Sequence, residues 1–195
     1  MDAAASTRTM RAWDAFLAGL QAGLIGVLWM LAWLGISSML ERRGFWMAEN
    51  LLASAFYGSA ALRGGFSGST LSGLALYILM YSVLGALFAW ALHLYAKPTG
   101  LPRLTLILAA VACGLGWYWL TFQMLWKNWI PLAAILHSRS GTVLGHVLYG
   151  TLIARFPAYL PRAAHCDEPA ATHDVLNLPG TGMAAPAGDV PQEEP

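Results

Sequence analysis

From His137 to Gly150 the chain reads HSRSGTVLGHVLYG, which sets two histidines and an arginine into a stretch that is otherwise apolar or weakly polar. Imidazole and guanidinium are the groups that relay protons, ligate metals or hold anions. A histidine deep in a membrane helix is rare and faces the bundle interior or a water-filled cavity. Thr142 lies one turn before His146 and Gly150 one turn after it, with Tyr149 alongside. His146, Thr142, Tyr149 and, from an earlier helix, Tyr77 therefore form a candidate intramembrane polar site, with Trp117, Tyr118 and Trp119 as possible walls. The favoured reading is a neutral histidine hydrogen-bonded for packing; the alternative is a small polar pocket or proton relay. Arg139, between Ser138 and Ser140 and next to His137, reads first as an interfacial anchor and second as a contact for a lipid headgroup or another anion.

Metal and cofactor chemistry find little support. On a continuous helix His137 and His146 are nine residues apart, about 13.5 Å of rise and close to half a revolution, so they point to opposite faces. His93 lies near a helix end and His146 near a helix centre, which disfavours haem held by two histidines of one chain. His165, Cys166, Asp167 and His173 resemble a ligand set but sit in a tail of disordered composition. No P-loop, dinucleotide fingerprint, H-E-x-x-H or C-x-x-C occurs, and no basic stripe with interleaved aromatics suggests nucleic acid. No metal site and no cofactor are expected, and an enzyme is the minority reading.

The elements that must carry these residues are membrane helices. Of 195 residues, 57% are apolar and 11% charged, with nine tryptophans, a composition foreign to soluble domains. A helix crosses a hydrocarbon core about 30 Å thick with roughly 20 apolar residues. The sequence predicts an all-α integral membrane protein of four spanning helices at about 13–40, 70–96, 104–126 and 141–156, with a short interfacial or re-entrant segment at about 45–60. The first span is too long for a signal peptide and is read as retained. Lys97, Pro98, Gly100 and Pro102 predict a tight turn that makes the second and third helices antiparallel neighbours. The fourth is the difficult one. Only 15 residues, Ser140 to Ala154, separate Arg139 from Arg155, so it spans if both arginines snorkel, or if it starts near Pro131 and carries Arg139 inside.

An internal repeat bears on that choice. Thr70, Gly73 and Tyr77 match Thr142, Gly145 and Tyr149 in a shared T-x-x-G-x-x-L-Y, and Trp46 to Gly58 parallels Trp126 to Ser138. The pattern suggests two copies of a unit made of a long helix, a short piece and a second helix, with Arg139 then at the membrane edge. Gly141 and Gly145 form a GxxxG which, with Gly73, permits close packing of the second helix on the fourth; a dimer face is the alternative.

Residues 1–12 are a short N-terminal tail, 13–156 the membrane domain, and 157–195 a Pro/Ala/acidic tail expected to be disordered. Residues 1–156 carry ten basic and four acidic side chains, the tail one and six. The basic residues divide almost evenly between the two sides, leaning to both termini in the cytoplasm, and the expected setting is a bacterial inner membrane. Expected partners are membrane lipids and either further copies or other membrane subunits. The preferred function is a non-enzymatic subunit or partner-binding component of a membrane assembly. The alternatives are a small oligomeric solute, ion or proton transporter acting through His146, and a membrane enzyme or redox protein working on lipid or quinone.

Overall fold

A computed structural model describes residues 3–63, 65–96 and 101–160, with the side chains of 3–11 and 132 excepted. The tail and the Lys97–Gly100 turn lie outside the described residues. Every regular element among those described is helical: α1 (Ala3–Leu40), α2 (Met47–Tyr57) with a 3-10 extension (Gly58–Arg63), α3 (Gly68–Tyr95), α4 (Arg103–Tyr118), a π-helical segment (Trp119–Leu125), α5 (Trp126–Trp129), α6 (Pro131–Leu136), α7 (Arg139–Ile153) and a final 3-10 turn (Phe156–Tyr159).

Among the described residues three helices, not four, are long and apolar enough to cross a membrane: Ala12–Leu40, Gly68–Tyr95 and the continuous rod Arg103–Trp129. The expected fourth span falls short because α7 has 15 residues, about 22 Å of helix against a core of about 30 Å. It cannot start earlier. His137 is extended, Ser138 caps the new helix by accepting from the Gly141 N–H, and Pro131 opens a separate short helix upstream.

Helix association in lipid depends on close packing of small residues, since lipid tails are as apolar as leucine. In α1 the buried positions recur as neighbouring pairs, Ala18/Gly19, Ala22/Gly23, Gly26/Val27, Met30/Leu31 and Leu34/Gly35, making a stripe wide enough for two partners. On one side Gly19 and Gly23 meet Gly85 of α3 at backbone distance, and a Cβ on Gly85 would come within 2.7 Å of the Gly23 Cα. On the other side α1 packs on α7, where Gly145 faces Met30, Trp33 and Leu34. Trp33 Nε1 donates to the Gly141 carbonyl across this contact at 2.9 Å.

The lateral order is therefore α3, α1, α7, α4. Against the expected pairing of the second and third long helices, α3 and α4 make little backbone contact among the described residues, and α4 packs on α7 through Gly114 and Gly150. The small-residue positions pack on partners other than those expected: Gly141 and Gly145 meet α1, and Gly73 meets the Glu49 carbonyl of α2 rather than α7.

The short segment expected at about 45–60, interfacial or re-entrant, is a helix packed on the bundle. α2 buries Glu49, Asn50, Leu51, Leu52, Ala53 and Ser54 against α3 and α6, whereas Phe56 and Tyr57 at its end are exposed. Two polar residues help to fix it: Thr70 Oγ1 donates to Asn50 Oδ1 at 2.7 Å, and Thr70 is fully buried.

The third rod shows why a π segment is there. Its buried row is Leu106, Ala110, Gly114, Tyr118, Phe122 and Trp126, one residue in every four. In an ideal α-helix each step of four turns the side chain by about 40°, so such a row would wind off its face. The wider turn between Trp119 and Leu125 holds Tyr118, Phe122 and Trp126 on the same side.

Candidate functional site

His146 sits where α3, α4 and α7 converge. It is 1% exposed and makes two short hydrogen bonds. Nδ1 lies 2.7 Å from the Thr142 carbonyl oxygen one turn back, which can only accept, so the ring carries its proton on Nδ1. Nε2 is then an acceptor, and the Tyr81 hydroxyl donates to it at 2.7 Å. Tyr149 donates in turn to the Tyr81 backbone carbonyl at 2.6 Å. This ladder ties α7 to α3, two helices that make little backbone contact.

Aromatic rings close the surroundings. Tyr77 stacks on Tyr81 with centroids 5.8 Å apart, Tyr149 meets Tyr81 edge-on at 5.0 Å, and Tyr118 meets His146 edge-on at 5.3 Å. The structure thus brings His146, Thr142, Tyr149 and Tyr77 into one neighbourhood. It adds Tyr81, which makes the central bond, and Phe122. Of the three suggested wall residues Tyr118 lines the site, whereas Trp119 is 59% exposed and points away.

The two histidines are not on opposite faces. The break at His137 and Ser138 removes the continuous helix on which that expectation rested. Phe122 stands between them, its ring centroid 4.4 Å from that of His137 and 6.1 Å from that of His146. His137 Nδ1 contacts the Ala133 and Ala134 carbonyl oxygens at 3.1 and 2.9 Å, while Nε2 makes no hydrogen bond. Partial burial, opposed by those carbonyls and assisted by the charges of Arg139 and Arg43, holds this imidazole below its ordinary pKa and therefore neutral at pH 7.

Between the two short helices and the bundle lies a cavity of about 20 Å³, lined in part by Ser37, Ser38, Tyr77, His137 and Thr142. That volume suits a single water. No known protein family, curated protein or solved structure matches this chain. What the site does must be argued from its chemistry alone.

Arg139, Ser138, Ser140 and His137 come together in a second place, an open cleft of about 710 Å³. Glu41 and Arg43, from the end of α1 and the turn after it, complete its polar end. Ser138 donates to Glu41 Oε1, Arg43 donates to the Leu136 carbonyl oxygen, and Arg43 Nε lies 3.5 Å from Glu41 Oε2. Arg139 and Ser140 are exposed, so Arg139 stands at the rim rather than inside the bundle.

Glu49 escaped the sequence reading. On α2 it is 1% exposed, its Oε2 has no hydrogen-bond partner, and burial raises its carboxyl from 4.5 to about 7 against the pull of a backbone hydrogen bond. The Glu49-Asn50 pair beside apolar residues looks in sequence like the wet side of an interfacial helix. Only its packing on α3 identifies it as an interior acid. Among the described residues no group of three His, Cys, Asp or Glu side chains could hold a metal ion. The suggested tail ligands lie outside those residues.

Proposed function

We propose that this chain is a non-enzymatic subunit of a larger membrane assembly, working without a bound cofactor. The observation that carries the reading is the closure of the His146 site. Both imidazole nitrogens and the Tyr81 and Tyr149 hydroxyls are engaged in the Tyr149–Tyr81–His146–Thr142 ladder, leaving the Tyr118 hydroxyl as an unpartnered group at its edge, and the adjoining cavity of about 20 Å³ is too small for a solute. Such a site fixes helix geometry rather than passing or transforming a substrate.

The assembly reading extends to a duplicated architecture, α1–α2–α3 and α4/α5–α6–α7. In each half a long helix is followed by a short one and then by a closing helix, 28 residues in α3 and 15 in α7; the long helix packs on the closing helix, and the short helices α2 and α6 meet. Thr70 and Thr142, Gly73 and Gly145, Tyr77 and Tyr149 are buried in both halves. In this arrangement α7 is a half-length partner that reaches one interface only, with Arg139 near its short end. The expected setting is a bacterial inner membrane.

Gentle solubilisation of native membranes followed by size analysis and cross-linking tests the proposal. Migration in a complex with other subunits or further copies is expected. A strictly monomeric species without partners would overturn it.

Glu49 favours a second reading, a small proton-coupled transporter. A buried acid with an unpartnered oxygen and a pKa near 7 is the type of group that loads and unloads protons. That reading expects a pH-dependent flux abolished by Glu49→Gln or His146→Leu in protein that still inserts and assembles.

A further inference from the structure

We propose that the cleft beside the N-terminal end of α7 binds an anionic phospholipid, its phosphate held at Arg139 and Arg43 and one acyl chain lying along Val143, Leu144 and Val147. The cleft of about 710 Å³ contains these residues in that spatial order, charge at one end and branched aliphatic side chains at the other. Ser140, Val143, Leu144 and Val147 follow one another at the spacing of a single helix face, opposite the buried row Gly141, Thr142, Gly145, His146 and Tyr149. Leu144 is 49% exposed on this face, with Val143 and Val147 partly buried beside it and Val143 packed on the core, so the face runs along the flank of the bundle. It is an apolar track leading from an interfacial charge into the hydrocarbon.

The charge favours an anion. Two guanidinium groups and one carboxylate leave the cleft a net positive charge: Arg43 is paired with Glu41 and donates to the Leu136 carbonyl oxygen, Glu41 also accepts from Ser138, and the uncompensated cation is Arg139. Arg139 forms no hydrogen bond or ion pair with any described residue, leaving its planar donor fork open to a phosphate. The Ser140 hydroxyl stands beside it at the rim. The shortness of α7 adds the geometric reason. About 22 Å of helix leaves roughly 8 Å of a typical bilayer core unmatched, and a site for a polar headgroup at the short end relieves that mismatch. A free phosphate would use the arginines but not the apolar track, which separates the two sources.

The test is lipid retention by the full-length protein, reconstituted in nanodiscs of phosphatidylglycerol and phosphatidylcholine, extracted and weighed by native mass spectrometry. Phosphatidylglycerol is expected to be retained in preference to phosphatidylcholine. Arg139→Gln lowers that preference about fivefold, Arg139→Lys restores most of it, and Arg103→Gln, an interfacial change outside the cleft, leaves it intact. Leu144→Trp fills the track and lowers retention of the lipid with both arginines in place. Millimolar inorganic phosphate does not displace it. Equal retention of the two lipids overturns the proposal, as does a preference that survives Arg139→Gln. Loss to inorganic phosphate together with indifference to Leu144→Trp marks a free-anion site and equally overturns it. Arg139 has no bonds within the described chain, so its variants keep the fold, which circular dichroism and elution position verify.

Discussion

Glu49→Gln in the chain as it stands makes the sharpest test of the packing described above. The side chain keeps its shape and loses its ability to ionise. In the folded protein the carboxyl titrates at about 7, against 4.5 for a solvated one, because burial disfavours the charged form. The folded state thus binds more protons than the unfolded state between those values, and stability falls as pH rises through that window. At about 1.4 kcal/mol per pH unit, the loss from pH 4.5 to 7 amounts to about 3 kcal/mol, with a plateau above. The glutamine variant, with nothing to ionise at this position, suffers no such loss. Denaturant unfolding in a single detergent, followed by tryptophan fluorescence from pH 4.5 to 8.5, should find the two proteins similar at the acid end and the variant more stable by about 3 kcal/mol at the alkaline end. Subtracting one curve from the other cancels the histidines, which both proteins share. Parallel curves, or a variant destabilised at every pH, would show that Glu49 is solvated or paired and that α2 is not packed into α3 as described.

Other perturbations read other contacts. Tyr81→Phe strands His146 Nε2 in an apolar site and should cost about 1–3 kcal/mol, whereas a cost under a few tenths would mean that the Tyr81–His146 bond does not form. Gly73→Ala puts a methyl onto the Glu49 carbonyl oxygen and should destabilise by at least about 1–3 kcal/mol, while Gly116→Ala, with nothing near it, should be neutral within about 1 kcal/mol; equal effects in thermal melts would contradict the close α2–α3 contact. In a background with Cys113 and Cys166 changed to alanine, a cysteine at Ser140 should react readily with a membrane-impermeant thiol reagent, and one at Tyr149, which is fully buried, only after denaturation.

The three long spans were legible because uninterrupted apolar runs of more than 20 residues have one solution in a bilayer. The fourth was overcounted because its 15 residues between Arg139 and Arg155 span if both arginines snorkel, and composition does not reveal that Ser138 caps a helix there. His146, Thr142 and Tyr149 were visible from helical spacing within one segment. Tyr81 carried a usable signal, one turn beyond Tyr77 on the same helix, but the rotation of α3 against α7 decides which tyrosine reaches the imidazole. Helix partners were the least legible feature. A small residue announces a close approach without naming what approaches, so Gly141 and Gly145 looked as suitable for α3 as for α1. Glu49 was hidden for a related reason: a lone acid on a short helix is wet or dry according to its neighbours, and those come from residues 24 and more positions further along.

The lateral order of the helices has a consequence for how the protein is made. Synthesis delivers α1, then α3, then α4, then α7, whereas in the finished bundle α4 docks on α7. α3 finds its place on α1 as soon as it emerges. α4 has no such berth, and waits until the chain has grown from Tyr118 to Ile153, about 35 residues and about 2–7 s at ordinary translation rates. During that interval Gly114 and the Tyr118 hydroxyl are open to lipid or to whatever insertion factor attends the nascent chain, and α7, the shortest of the four, is the wedge that ends the delay by sliding between two helices already in place.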